Sequence, residues 1–277
     1  MTEPLEPGLY IVATPIGNLG DLSARAADTL RRADRILAED TRVTAKLLAH
    51  IGAKVRTVRY DDHSSEAERD VIVAHLASQA IALVSDAGTP LISDPGYKLV
   101  REARSAGRSI RTIPGPCAAI AALTLAGLPT DRFLFVGFLP TKAKAGADAI
   151  AEIANLRATL VIYESGQRLG DTLLALSAKL GERESAVARE LTKLHEECVT
   201  GSLGELGARY ADAIPKGEMV IVVGPPLEAD GITDDELDSA LDAAMVDLSP
   251  SRAAALVAER LGVPRKRAYA RALERTK

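Results

Sequence analysis

Three segments of this 277-residue chain combine glycine, proline and a few polar side chains so as to leave main-chain groups open to a ligand. They are Thr14-Pro15-Ile16-Gly17-Asn18, the long stretch from Ser85 to Gly96 (SDAGTPLISDPG), and Pro114-Gly115-Pro116-Cys117-Ala118. Proline fixes φ and removes a donor, and glycine opens conformations closed to other residues, so these backbones are irregular and their N–H and C=O groups need other partners. Asp86 directly follows an apolar run and is placed to accept hydrogen bonds from a ribose or an amine; a turn cap is the ordinary alternative for an aspartate there. Neither GxGxxG after the first strand nor GxxxxGK[ST] occurs, which disfavours a nicotinamide dinucleotide or an NTP held by the usual phosphate loop. Cys117 and Cys198 are the only cysteines, and there is no zinc-ligand spacing. No metal site and no disulfide framework is expected, in keeping with a reduced cytoplasmic setting.

The loops need strands to carry them. Short apolar runs at 8–14, 34–39, 54–59, 80–85 and 109–113 read as buried strands. Between them lie helices expected at 24–33, with Ser23 as N-cap, at 42–50, from a Ser65/Glu68 capping box to about 79, and at 97–106 before Gly107. Alternating strands and helices with short connections give a doubly wound, mostly parallel α/β sheet, and ligands bind such sheets at the carboxyl ends of the strands. Pro114-Gly115-Pro116 marks a boundary. Beyond it, strands at 133–138, 158–164, 185–190, 198–203 and 218–224 lie closer together, with helices at 118–126, 147–156, 169–180 and 204–213. That pattern implies a second, mixed α/β domain. The expected organisation is a parallel domain over 1–114, a mixed domain over 115–228 and a helical domain over 232–277.

Hydrophobic residues make up 47% and charged residues 26%, the composition of an ordinary soluble globular protein. No apolar run reaches the roughly 18 residues of a membrane span, and MTEPLEPGLY lacks the features of a secretory signal. Aromatics are 3% and tryptophan is absent, which argues against stacking platforms for single-stranded nucleic acid. The net charge of -4 conceals an asymmetry: residues 249–277 hold eight Lys/Arg and two Asp/Glu, whereas 230–247 hold seven acids and no base. The last segment reads as three helices, with Ser249-Pro250 opening the second, Gly262 ending it and Pro264 opening the third, at helix-turn-helix spacing. Such a basic end suits a polyanion, and a small helical cap is the structural alternative.

The strings ATPIGNLGD, ILAEDTR, VSDAGTPLISDPG, TIPGPCAAIAAL, LPTDRFLFVGFLP, YES, ARELTKLHEE and GEMVIVV resemble the tetrapyrrole methylase superfamily. Within it they are similar to the small-subunit ribosomal RNA methyltransferases that act on a cytidine 2'-hydroxyl of 16S rRNA in the decoding centre. The resemblance spans about residues 8–224, and the basic tail is similar to that family's small C-terminal domain. It implies S-adenosylmethionine as methyl donor, no metal, a homodimer, and 16S rRNA within the small ribosomal subunit as partner. Carried over by motif, the donor contacts are Pro15, Asp86, Gly88, Thr89, Ile92, Cys117 and Ala118, with Glu164 and Leu191 from the second domain. Ala13 stands where the family has glycine, and Gly166-Gln167 where it has Pro-His.

Methyl transfer to a ribose hydroxyl needs alignment of donor and acceptor and a base for the hydroxyl proton. The candidates for that base are His63, Glu39, Asp40, Glu164, Lys193 and His195, of which His63, Glu164 and Lys193 are put forward as catalytic. Arg42 and Arg189, with Arg265, Lys266, Arg267 and Arg271 in the tail, are expected to hold RNA phosphates. Two other readings compete: a methylase of a small molecule such as a corrin precursor, for which the basic tail would be idle, and a helix-turn-helix regulator, for which the loops would be.

Overall fold

A computed structural model describes residues 3–61, 63–226, 234–261 and 263–275. The chain divides into two compact units at Pro225–Pro226.

The first unit holds two five-stranded sheets. In the first sheet β1 (Gly8–Val12), β2 (Arg35–Ala38), β3 (Thr57–Arg59), β4 (Ala80–Val84) and β5 (Ile110–Ile113) run parallel in the order β3-β2-β4-β1-β5. Strand side chains alternate between faces, and each face has its own core. Tyr10, Val12, Ile36, Ala82 and Val84 pack with α1 (Ala24–Arg32) and α2 (Thr41–His50). Leu9, Leu37, Ile81 and Leu83 pack with α3 (Glu66–His75) and α4 (Tyr97–Ser105). Burial on both faces explains why β4 is apolar throughout, and each fully buried Leu or Ile contributes about 1.5–3 kcal/mol. Ser23 caps α1, and Ser65 and Glu68 close the capping box of α3. The third strand is shorter than its apolar run, covering only Thr57–Arg59 at the sheet edge.

The second sheet has the order β6-β7-β10-β8-β9, from β6 (Phe133–Phe138), β7 (Thr159–Ser165), β8 (Glu184–Arg189), β9 (Glu197–Ser202) and β10 (Glu218–Val223). Only β6 and β7 pair in parallel; the other three pairings are antiparallel. One face packs on α7 (Leu169–Leu180) and α8 (Leu203–Ala211) through Leu160, Ile162, Leu173, Leu206 and Ile221. The other carries Val161, Tyr163, Val220 and Val222 against α5 (Ala118–Leu125). The helix expected at 147–156 is α6 (Ala143–Ile153): the good helix formers Ala143, Lys144 and Ala145 start it a turn early and outweigh Gly146.

The second unit contains α9 (Asp234–Met245), α10 (Pro250–Leu261) and α11 (Arg265–Glu274) around Leu237, Leu241, Ala254, Val257, Ala268 and Ala272. Gly262, the expected end of the middle helix, lies outside the described residues, as do the domain limits 228, 232 and 277.

Candidate functional site

Strands β2, β4, β1 and β5 are consecutive neighbours, so the chain leaves the sheet at four adjacent points. The first two glycine-proline loops are tied by paired main-chain bonds, Thr14 N–H to the Gly88 carbonyl at 2.8 Å and Gly88 N–H to the Thr14 carbonyl at 3.1 Å. The Thr89 hydroxyl donates to the Pro116 carbonyl at 2.9 Å and joins the third loop to them. Gly88 has φ of +83°, and a Cβ there would lie 3.1 Å from Ile16, so both conformation and space call for glycine. Leu91, Ser93, Glu190 and Thr192 have positive φ without being glycine. Such backbone costs on the order of 1–3 kcal/mol per residue and collects at functional sites; here it falls in the 85–96 loop and in the turn after β8.

Between these loops and the second sheet lies a cavity of about 530 Å³. Asp86, Gly88, Thr89, Ile92, Cys117, Ala118 and Leu191 line it, as does Lys193. The structure therefore brings together seven of the nine expected donor contacts. Pro15 instead lines an adjoining groove on the far side of the first loop. Glu164 requires correction. It is buried, 1% exposed, and accepts bonds from the Ser165 N–H and the Thr172 hydroxyl, both at 2.8 Å. Strand alternation turns it to the α7 face, and its neighbour Tyr163 reaches the cavity in its place.

The base candidates separate as clearly. His63 is exposed in the loop after β3, where its main-chain N–H donates to Asp61, and it does not reach the cavity. Asp40 caps α2 and binds Arg42, which holds its carboxyl down at about 2. His195 is exposed and outside the lining. Glu39 and Lys193 line the cavity. Lys193 Nζ donates to Glu190 at 2.9 Å, and its stem lies over Gly17, where a Cβ would come within 2.8 Å.

Charge dominates the lining. Glu39, Asp86, Asp94, Glu190 and Glu218 face the cavity against the single ammonium of Lys193. Asp86 Oδ1 accepts the Asp40 N–H at 2.9 Å. Burial pushes the Asp94 carboxyl up to about 6; a hydrogen bond from Ser85 opposes this, and Glu39, Asp86 and Glu218 reinforce it. Negative charge thus outweighs positive in the lining, which favours a cationic ligand. The Tyr163 hydroxyl accepts the Ala119 N–H at 3.1 Å, its phenol is pushed up by burial, and its ring meets Phe135 and Phe138 edge to face. Tyr163, Phe138, Glu190 and Glu218 are additions that loop composition does not signal, and Asp94 joins them from the SDPG end of the second loop.

The cations expected to hold RNA divide in two. Arg189 pairs with Glu197, and Arg42 with Asp40. In the helical unit Arg267 binds Asp234, Arg271 binds Asp234 and Asp238, and Arg275 binds Asp238 and Asp242. Three acids one turn apart on α9 thereby zip to three arginines one turn apart along α11 and its C-cap. Arg267 and Arg271 are corrected to structural partners of α9. Arg265 and Lys266 are exposed on α11 and form no ion pair among the described residues; Arg252 and Arg260 on α10 are likewise exposed and unpaired among them. Among those residues no group of three or more His, Cys, Asp or Glu is placed to hold a metal ion, and no helix is long and apolar enough to cross a membrane.

Residues 8–207 match the family model of tetrapyrrole (corrin/porphyrin) methylases, and residues 232–276 match that of the RsmI C-terminal HTH domain. The chain is 56% identical to ribosomal RNA small subunit methyltransferase I of Erythrobacter litoralis, over 98% of this chain and 96% of that protein. It is 47% identical to the protein of the same name from Escherichia coli O157:H7, over 96% and 94%. Among solved structures, diphthine synthase superposes with a TM-score of 0.63 at 17% identity, over 78% of this chain and 89% of that one. Uroporphyrin-III-C-methyltransferase from Thermus thermophilus gives 0.56 at 22%, over 78% and 93%. At such identities these two neighbours establish the shared fold alone.

Proposed function

The chain belongs to the tetrapyrrole methylases and, within them, to the ribosomal RNA small subunit methyltransferase I family, and from that premise we propose that it methylates a cytidine ribose 2'-hydroxyl in 16S rRNA, at the decoding centre, with S-adenosylmethionine as donor. The observation that carries the reading is the cavity at the carboxyl edge of the parallel sheet, where five carboxylates face one lysine.

The residues present fit that donor. S-adenosylmethionine supplies a methyl group on a positively charged sulfur, together with an ammonium, a carboxylate, a ribose and an adenine. Asp86, with one oxygen held by the Asp40 N–H, keeps its other oxygen for a ribose hydroxyl or an ammonium. Asp94 and Glu218 add negative charge for the sulfonium side. The N-terminus of α5 at Cys117–Ala118 offers main-chain N–H groups to a carboxylate. Tyr163, Phe138 and Leu191 give apolar surface to a ring. Of the base candidates we favour Glu39, which lines the cavity. Lys193, tied to Glu190, suits an anionic group better than a proton. Positioning of this kind is the main lever for a transfer between two bound partners.

In the same reading the helical unit grips RNA through Arg252, Arg260, Arg265 and Lys266, the protein works in the cytoplasm as a homodimer, and assembled small subunits are better substrates than short RNA fragments. Mapping ribose methylation in 16S rRNA from cells with and without the gene tests the function. Loss of one cytidine 2'-O-methyl group is expected; an unchanged map contradicts it. Light scattering tests the dimer, and a monomer mass at working concentration contradicts that part.

A further inference from the structure

A second depression adjoins the acidic cavity, and neither the family match nor the donor accounts for it. It is a groove of about 320 Å³ between the 14–19 loop and the first turns of α2, floored by the start of the 85–96 loop. Three residues, Ile16, Asp86 and Ala87, belong to both depressions and form the partition between them. Ala87 is exposed, so the partition is a ridge at the surface and not a buried wall.

The two hollows differ in chemistry. The groove's sides are apolar, from Pro15 and Leu19 on one side and Val43 and Leu47 on the other. Leu19 is 46% exposed and Val43 38%, two large apolar side chains left in water with nothing over them. Lys46 lies at the groove, and Arg42 stands beside it at the first turn of α2, 87% exposed while steered by Asp40. Apolar sides with cations nearby suit a flat heterocycle carrying phosphates on its sugar. The volume is at the lower end of the roughly 300–1,000 Å³ of small-molecule sites, enough for one nucleoside and too small for the donor together with it. Asp40 links the two hollows: its N–H holds Asp86 Oδ1 in the partition, and its side chain caps α2 and positions Arg42.

We propose that this groove receives the acceptor nucleoside, turned out of its RNA, with the base between Leu19 and Val43 and the ribose directed over the Asp86–Ala87 ridge towards the donor cavity. The inference rests on the RNA methyltransferase reading and adds to it the place where the acceptor binds. It also gives the TPIGNLGD string a purpose, since that string forms one side of the groove, while the residues of α2 that follow AEDTR form the other.

The test uses the full chain saturated with S-adenosylhomocysteine, labelled at Leu and Val methyl groups, and titrated with cytidine 5'-monophosphate. The largest NMR shifts are expected at Leu19, Val43 and Leu47. Shifts largest at Leu191 and Val220, or none up to about 10 mM, overturn the proposal. Movement of the Leu19 and Val43 signals on dilution without nucleotide would put a second copy of the chain in the groove and overturn it too. Val43→Trp, at a site exposed enough to accept the larger ring, should fill the groove. It is expected to slow methyl transfer to small subunits by about 100-fold while S-adenosylmethionine affinity stays within about twofold. Wild-type transfer by that variant contradicts the assignment. Failure of the unmodified chain to bind S-adenosylmethionine would instead defeat the methyltransferase reading itself, a result distinct from either of these.

Discussion

Acidic side chains serve the two units of this protein in opposite ways. In the helical unit Asp234, Asp238 and Asp242 are matched to arginines, which hold their carboxyls below the usual range. In the first unit Asp94 stands with Glu39, Asp86 and Glu218 in a cavity poor in cations, and burial raises it to about 6. The matched set closes a small core; the cavity set, five carboxylates with one lysine, leaves a negative lining that a cation can meet. The difference lies in the balance of charge and not in its amount: each of the three α9 acids meets an arginine, whereas five carboxylates share one lysine in the cavity.

The largest effect expected from breaking this contrast is on RNA. A chain ending before residue 232 should bind 16S rRNA about 100-fold more weakly at moderate salt, with a shallower salt dependence, while its S-adenosylmethionine affinity is unchanged. Filter binding across a salt series measures the first and calorimetry the second. Equal RNA affinity of the shortened chain would make the helical unit a structural cap.

Asp86→Ala should cost roughly 10- to 100-fold in S-adenosylmethionine affinity, because it removes a charged acceptor from a site that keeps its other groups. Circular dichroism should show the variant folded, and unchanged affinity would take Asp86 out of the donor site.

A sharper version of the contrast compares exposed and ion-paired cations on one helix. Arg265→Glu combined with Lys266→Glu should weaken RNA binding by about tenfold and leave the melting of the helical unit unchanged. Arg271→Glu should do the reverse in emphasis, loosening the helical unit by setting a third acid against Asp234 and Asp238. The depressed carboxyls fix the pH sign: stability from these pairs is present above the unfolded aspartate value and is lost as acidification protonates Asp234, Asp238 and Asp242.

The smallest effect belongs to Asp94. Its carboxyl rises from 3.8 to about 6 on folding, so the ligand-free protein loses stability as pH climbs through that interval. A bound cation favours the ionised form, so donor affinity should grow severalfold between pH 5 and 7 with release of a proton. Asp94→Asn should flatten that dependence, as seen by calorimetry at the two pH values.

Much of this was readable in the sequence, and the misreadings have physical causes. Glycine and proline punctuate the chain so strongly that all three loops, and the strands before them, stood out; the Ser65/Glu68 capping box formed as its spacing suggests. Motif matching put Glu164 in the site, but a strand turns successive side chains to opposite faces, and a one-residue offset decides between the buried Glu164 and the cavity-lining Tyr163. Arg267 and Arg271 read as RNA ligands because a linear charge count cannot see that Asp234 and Asp238, 33 positions away from their partners, lie alongside them. The carboxylate cluster escaped notice for the same reason. Its members come from the residue after β2, the 85–96 loop, the turn after β8 and the start of β10, and meet only when both sheets are in place.

The acidic cavity at the carboxyl edge of the parallel sheet is proposed to hold a positively charged methyl donor. Calorimetric titration of the full chain with S-adenosylmethionine at pH 5 and pH 7, in the presence of EDTA, tests it most directly. One site per chain, affinity stronger at pH 7 and protons released on binding are expected. No binding, or binding that is equally tight at both pH values and indifferent to Asp86→Ala, would contradict it.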